Sequence, residues 1–407
     1  MSERMPREWK QCAGDFPAET YVQTISVPFE YPVHFTRRVF HPRNPLLADT
    51  LNRLGENRVH RAAVFVDEGV AEAHPTLLTQ IGEYFHERPD QVELAGGPVL
   101  VPGGPAAKRG WEPVRSVMWR LGNWHMDRQS FVVAIGGGSM LDMVGFGASI
   151  VHRGLRMVRV PSTTLAQNDA GIGVKTGMDE HGQKNFVGTF APPFAVINDF
   201  AFLPTLSDEH WLAGVAEALK VAIIKDAAFF AWLADSAPAL AARSEAAMAE
   251  CVRRCAVLHL EHIRTSGDPF ECGSARPLDF GHWAGHRLEI LSDYRLSHGQ
   301  AVAVGIALDS AYARAKGLLG EEELEGILAA LEASGLPTWH ELLTAAGPEG
   351  RPAVLDGLAQ FREHLGGRLC VTLPRGIGRK VEVNHMDEEA VLAAAEQLSA
   401  RARSRSR

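Results

Sequence analysis

The pattern of apolar and polar positions changes once along the chain, near residue 205. From about residue 35 to 205, short β-type runs alternate with helix-like segments. Residues 61–67 (RAAVFVD), 130–139 (SFVVAIGGGS), 157–164 (MVRVPSTT) and 194–200 (FAVINDF) are near-continuous apolar runs that end at turns. Strands buried on both faces read this way, and their alternation with helices predicts a parallel sheet flanked by helices. After Leu206 the texture becomes helical. Ser207 is a plausible N-cap, Asp208 and Glu209 follow in the first turn, and Ala/Leu/Glu-rich segments continue at helical spacing to about residue 345. The expected organisation is an irregular extension over 1–30, an α/β Rossmann-like domain over 31–205, an all-α domain over 206–398 and a disordered basic tail over 399–407. No internal repeat interrupts it.

A chain of 407 residues has room for two cores. Hydrophobic residues make up 46% and charged residues 22%, an ordinary balance for a globular protein. The net charge of −8 argues against nucleic-acid and membrane-surface partners, both of which require a concentrated positive face. No apolar stretch of roughly 20 residues predicts a transmembrane helix, and the first residues lack the apolar core of a secretory signal. Five cysteines without a Cys-x-x-Cys pair read as reduced thiols, Cys251 and Cys255 among them, and the expected location is the cytoplasm.

Two constellations carry chemistry. Gly136-Gly137-Gly138-Ser139 follows a strand and opens a helix-like segment containing Asp142. Glycine lets backbone approach a diphosphate, and free N–H groups at a helix start favour its charge. Asp67, at the end of an earlier strand, can accept hydrogen bonds from a ribose or simply cap a turn. The second constellation holds His282 and His286 four residues apart, His298 before a further helix-like stretch, and Glu217 three residues before Lys220. A carboxylate with two imidazoles and an open position is a catalytic zinc arrangement, although spacing alone leaves the ligand set open and helix-packing histidines share the same pattern.

In order, residues 161–193 (PSTTLAQNDAGIGVKTGMDEHGQKNFVGTFAPP), GVAEALK at 214–220, the H-x-x-x-H segment and HGQAVAVGIALD at 298–309 resemble the dehydroquinate synthase superfamily of sugar phosphate cyclases. The resemblance spans roughly residues 60 to 375. It implies a Rossmann-like domain, a helical domain and an active site between them, usually in a homodimer. It implies NAD and Zn2+, with Co2+ a possible substitute, and a phosphorylated sugar as substrate. Glu217, His282 and His298 match metal ligands, which makes His286 a substrate-side residue. Asp67, Lys108, Gly137, Gly138, Ser139, Asp142, Ser162, Thr163, Lys184 and Thr205 match cofactor positions. Asp169, Lys175, Lys220 and His286 match catalytic positions. Asn185, Asp279, Glu271 and Arg276 match substrate-binding ones, and Arg153 matches an arginine that reaches the partner's phosphate site. The implied reaction is a transient oxidation, phosphate elimination, re-reduction and aldol ring closure.

The chain departs from the synthase pattern R-x-L-L-N-x-G-H. Ala275 stands in the arginine position, Arg276 is displaced by one residue, and Asp279 replaces the asparagine. A carboxylate beside a substrate carboxylate repels it by about 1 to 4 kcal/mol at ~4 Å, whereas it accepts hydrogen bonds from hydroxyls. The family's upstream lysine is also missing, with Glu261 and His262 nearest to its place. These changes predict a substrate without the carboxylate. Sedoheptulose 7-phosphate fits, with a C7 cyclitol of the epi-valiolone type as product, and retained His286 favours the 2-epi-valiolone outcome. The alternatives are 3-dehydroquinate synthase itself, a metal- and NAD-dependent polyol dehydrogenase, and a scaffold protein without catalysis. Pro105 stands where the family has a ribose-contacting glutamate, and Arg362 or His364 replaces a phosphate-binding lysine.

Overall fold

The computed structural model describes residues 9–12, 18–181, 183–270, 278–347, 350–364 and 367–405. The expected substrate residues Glu271 and Arg276, with Ala275, lie outside the described residues. At the N-terminus, β1 (Trp9–Cys12) and β2 (Ala18–Tyr21) pair antiparallel, so the stretch expected to be irregular contains a hairpin.

The first domain is built on strands β3 (Val33–Thr36), β4 (His60–Asp67), β5 (Val92–Leu94), β6 (Val99–Val101), β7 (Phe131–Gly136) and β8 (Arg156–Pro161). A hairpin of β9 (Lys175–Glu180) and β10 (Gln183–Phe190) follows, then β11 (Ala195–Asp199). The parallel sheet runs β3-β11-β8-β7-β4-β5, with β6 also pairing with β4. All of β7 is buried because helices cover both faces of the sheet. Val132 and Ala134 pack into one core, while Phe131, Val133 and Ile135 pack into the other, the alternation a strand imposes. After β4 the chain builds outward to β5 and β6, then returns to place β7 on β4's other side. A crevice opens at such a switch point, beyond the carboxyl ends of the two strands. Asp67 ends β4, and the triple glycine ends β7.

The flanking helices are α1 (Leu46–Leu51), α2 (Glu68–Ala73), α3 (Leu77–His86), α4 (Gly104–Lys108), α5 (Glu112–Asn123) and α6 (Gly138–Ile150). From Asp208 onward the chain is largely helical: α7 (Asp208–Lys225), α8 (Ala227–Ala241), α9 (Glu245–Thr265), α10 (His282–Leu291), α11 (His298–Ala315), α12 (Glu321–Ala333), α13 (Asp356–His364) and α14 (Glu388–Arg405). These helices share one large core. The all-α expectation needs one amendment, an antiparallel hairpin of β12 (Val371–Pro374) and β13 (Lys380–Val383). No described helix is long and apolar enough to cross a membrane.

The basic tail expected to be disordered from residue 399 is instead the last two turns of α14, through Arg405. Its charges have partners. Arg401 reaches Glu325 at 2.6 Å and Glu332 at 2.9 Å on α12, and Arg405 also pairs with Glu332. Cations in the last turn also suit the helix dipole.

Candidate active site

Helix α6 begins directly after β7, with Gly137 as its N-cap. The glycines are required by crowding as well as by a ligand's approach. A Cβ on Gly136 would lie 2.9 Å from Met140 Sδ and 3.0 Å from Asp67 Cβ, and one on Gly138 would meet Ala170 at 3.2 Å. Ser162 donates its N–H to the Gly136 carbonyl, which places Ser162 and Thr163 beside the loop. Asp67 accepts the Gly69 N–H at 2.9 Å and so caps α2. Burial raises its pKa, while the N–H groups of Gly69, Val70 and Gly137 oppose that shift. Lys108 joins Asp142, at 2.5 Å, to Asn185. Burial likewise raises the Asp142 pKa against the pull of Lys108. Thr205 lies 2.9 Å from the His74 ring. Asp67, the glycine loop, Ser162 and Thr163 thus adjoin one another at the carboxyl ends of β4, β7 and β8, whereas Lys184 projects from β10 to Glu289 at 3.0 Å.

The second cluster is assembled from α7, α9, α10, α11 and the π-helical turn Ala166–Ala170, which carries Asp169. Single π turns of this kind recur at functional sites. The rings of His282 and His286 lie 5.2 Å apart, and His298 lies 5.5 Å from the first and 5.8 Å from the second. Glu217 is buried with Lys220 at 2.7 Å and His259 at 2.9 Å, both on Oε1. Burial would raise the Glu217 pKa, but Lys220, His259 and His282 hold it far below the usual carboxylate range. Burial opposes the Lys220 charge, yet Glu217 and Asp169 raise its pKa. His282 is pushed well below its ordinary value by burial and then by Lys220, so its ring is neutral and available as a ligand.

Among the described residues, two groups have donor atoms within 4.8 Å of one another inside each group: His286, Glu289 and His298, and Asp169, Glu217 and His259. The expected ligand trio takes Glu217 from one group and His298 from the other, with His282 in neither, and is not itself one of these compact groups. Each member has one donor atom occupied. His298 Nδ1 faces Glu289 Oε2 at 3.2 Å, His282 Nδ1 faces the Phe280 carbonyl at 3.2 Å, and Glu217 Oε1 carries two partners. What remains is Nε2, Nε2 and Oε2, a donor set that fits zinc, with each ring oriented through its other nitrogen.

Asp279 precedes His282 in the turn into α10, its backbone carbonyl accepts the His282 N–H, and its charge lies close enough to Lys220 to raise that lysine's pKa. Lys175 begins β9 and is exposed. Arg153 is exposed just beyond α6, and Arg362 is exposed on α13. Among the described residues, neither makes a hydrogen bond or ion pair with the histidine cluster.

A 3-dehydroquinate synthase N-terminal model matches residues 98–213, and a 3-dehydroquinate synthase C-terminal model matches residues 214–350. A 3-dehydroquinate synthase of Ruegeria pomeroyi is 36% identical over 345 residues, covering 83% of this chain and 88% of the relative. The chain belongs to the 3-dehydroquinate synthase family. The structure resembles that of ValA, a 2-epi-5-epi-valiolone synthase from Streptomyces hygroscopicus subsp. jinggangensis with NAD+ and Zn2+ bound. The TM-score is 0.81 at 30% identity, covering 93% of this chain and 99% of that one. A 2-deoxy-scyllo-inosose synthase complexed with carbaglucose-6-phosphate, NAD+ and Co2+ shares the fold, with a TM-score of 0.73 at 19% identity, covering 96% and 99%.

Three residues of this family member escaped the reading of its sequence. Glu289 follows His286 by three positions, so its place on the histidine face of α10 was available from spacing. His259 continues the buried stripe Met248, Cys251, Val252, Cys255 and Ala256 on α9, where a histidine passes for a core residue. It is this side chain of α9 that enters the cluster, whereas Glu261 is half-exposed and pairs with Arg264. Asp309, on α11, accepts the Gly281 N–H at 3.0 Å and the Trp283 Nε1–H at 2.8 Å.

Proposed function

We propose that this protein is a sugar phosphate cyclase acting on sedoheptulose 7-phosphate, releasing phosphate and forming a C7 cyclitol of the 2-epi-valiolone type. The observation that carries the substrate reading is Asp279 in the turn leading into His282, beside Lys220, where it repels a substrate carboxylate and accepts hydrogen bonds from hydroxyls. Ala275 removes the arginine that would have held such a carboxylate. The 30% identity to ValA supports the same class.

In this reading Glu217, His282 and His298 hold the metal, and Asp67, Lys108, Gly137, Gly138, Ser139, Asp142, Ser162, Thr163 and Thr205 line the NAD site. Bound NAD supplies a reversible oxidation of one substrate hydroxyl, and the metal supplies a Lewis acid beside it. The chain's own groups do the rest. Lys220 and Asp169 hold protons at the reacting carbons, and His286 faces the open side of the cluster as an acid or base. Lys175 and Asn185 bind the departing phosphate, a role that suits charge-assisted hydrogen bonds. The cyclase functions as a homodimer in the cytoplasm, with Arg153 completing the phosphate site of its partner. Arg153 and His152 both have left-handed backbone, at φ values of 65° and 51°, a strained geometry that fits a residue aimed outward for a purpose.

The test is phosphate release from sedoheptulose 7-phosphate by purified protein with zinc and catalytic NAD, with the product identified by NMR. Turnover of the carboxylated heptulosonate phosphate alone would favour 3-dehydroquinate synthase, the reading that the 36% identity to enzymes of that name supports. Net NADH formation from a simple polyol would indicate a dehydrogenase.

A further inference from the structure

We propose that His259 is a positioning residue that locks the Glu217 carboxylate for metal coordination and ties it to Asp169. The inference rests on the reading of Glu217 as a metal ligand. His259 is 5% exposed, with Nε2 at 2.9 Å from Glu217 Oε1 and Nδ1 at 3.4 Å from Asp169 Oδ1. A ring with carboxylates at both nitrogens cannot rotate without losing one of them. Lys220 reaches the same Oε1 at 2.7 Å, so one oxygen of Glu217 is held from two directions and Oε2 is left for a metal.

The three residues come from separate parts of the fold. Asp169 sits on the π turn of the sheet domain, Glu217 on α7 and His259 on α9. His259 therefore couples the ligand to the loop that leads from β8 toward the substrate-side hairpin. The arrangement disfavours a metal seated directly among Asp169, Glu217 and His259, because the Lys220 ammonium already occupies the Glu217 oxygen that faces them. It also withholds His259 from the substrate. With both nitrogens committed, the side chain offers no donor to a substrate carboxylate, in keeping with the proposed uncharged polyol end.

The experiment compares wild type, H259A, H259Q, D169N and E217A for zinc affinity by chelator competition and for the visible spectrum of the Co2+-loaded protein. H259A is expected to lose ~10- to 100-fold in zinc affinity, the usual cost of a lost outer-shell partner, and to change the Co2+ spectrum with NAD binding unaltered. H259Q, which can still donate to Glu217, is expected to recover most of that affinity. D169N, at a partly exposed side chain, keeps the test alive should H259A fail to fold, and is expected to shift the Co2+ spectrum in the same direction. Wild-type affinity and spectrum in folded H259A overturn the proposal, as does an unchanged D169N spectrum or no recovery in H259Q. Wild-type zinc content in E217A would instead overturn the reading of Glu217 as a ligand.

Discussion

Replacing Asp309 by asparagine should make the stability of this protein respond differently to pH. Asp309 is fully buried on α11, and burial raises its pKa from 3.8 to about 7 against the hydrogen bonds from Trp283 and Gly281. A carboxyl whose folded pKa is raised binds more protons folded than unfolded between the two values. Stability therefore falls as pH rises through that interval and levels off above it. At ~1.4 kcal/mol per pH unit, the stretch from pH 5 to about 7 accounts for roughly 3 kcal/mol. The Asp309→Asn variant has no such proton, so the advantage of wild type over it should shrink by about that amount between pH 5 and pH 8. Groups elsewhere titrate alike in both proteins and cancel in the difference. Urea denaturation followed by tryptophan fluorescence at pH 5, 6, 7 and 8 measures it. A wild-type-minus-variant difference that stays constant within ~0.5 kcal/mol would refute the argument. The position also bears on the site, because Asp309 fastens the start of α10, which carries His282, to α11, which carries His298.

Other perturbations probe the same architecture. Gly305→Ala would put a Cβ 2.0 Å from the Gly281 carbonyl oxygen, so calorimetry should show a loss of at least ~1–3 kcal/mol, accompanied by reduced zinc content as α10 is pushed off α11. Glu289→Ala removes the acceptor that orients His298 and the partner of Lys184, and zinc affinity by chelator competition should drop ~10-fold or more; an unchanged value would remove His298 from the ligand set. Lys220→Met leaves the Glu217 charge buried without its ammonium and should cost about 3–5 kcal/mol of stability by denaturant titration in the metal-free protein. Asp279→Asn removes a repulsion worth about 1 to 4 kcal/mol, so kcat/KM for the carboxylated heptulosonate phosphate should rise at least ~fivefold relative to sedoheptulose 7-phosphate; equal ratios in variant and wild type would count against the substrate reading.

Local sequence was sufficient wherever the deciding interaction is close along the chain. The apolar runs at 61–67 and 130–139 become β4 and β7 because an unbroken apolar run is stable only when covered on both faces. The glycine loop was legible because strand, turn and helix are consecutive. Ser207 does cap α7, its hydroxyl accepting the His210 N–H. The H-x-x-x-H spacing placed two imidazoles on one turn of α10, since helical periodicity is a property of the local backbone. The order of motifs was enough to mark the family.

Tertiary structure decided everything that depends on which elements meet. The basic end of the chain was read as solvated because its partners, Glu325 and Glu332, are about 70 residues away in sequence, on α12. His259 looked like one more position in a buried stripe until α9 packed between α7 and the π turn, giving it a carboxylate at each nitrogen. Asp309 reads as an ordinary polar position in an apolar helix, and only the approach of Gly281 to Gly305 brings its two N–H donors within reach. A sequence determines periodicity, caps and turn chemistry because those energies act over a few residues. The electrostatics of a buried cluster depend on distances between distant segments, and only the packed fold specifies those.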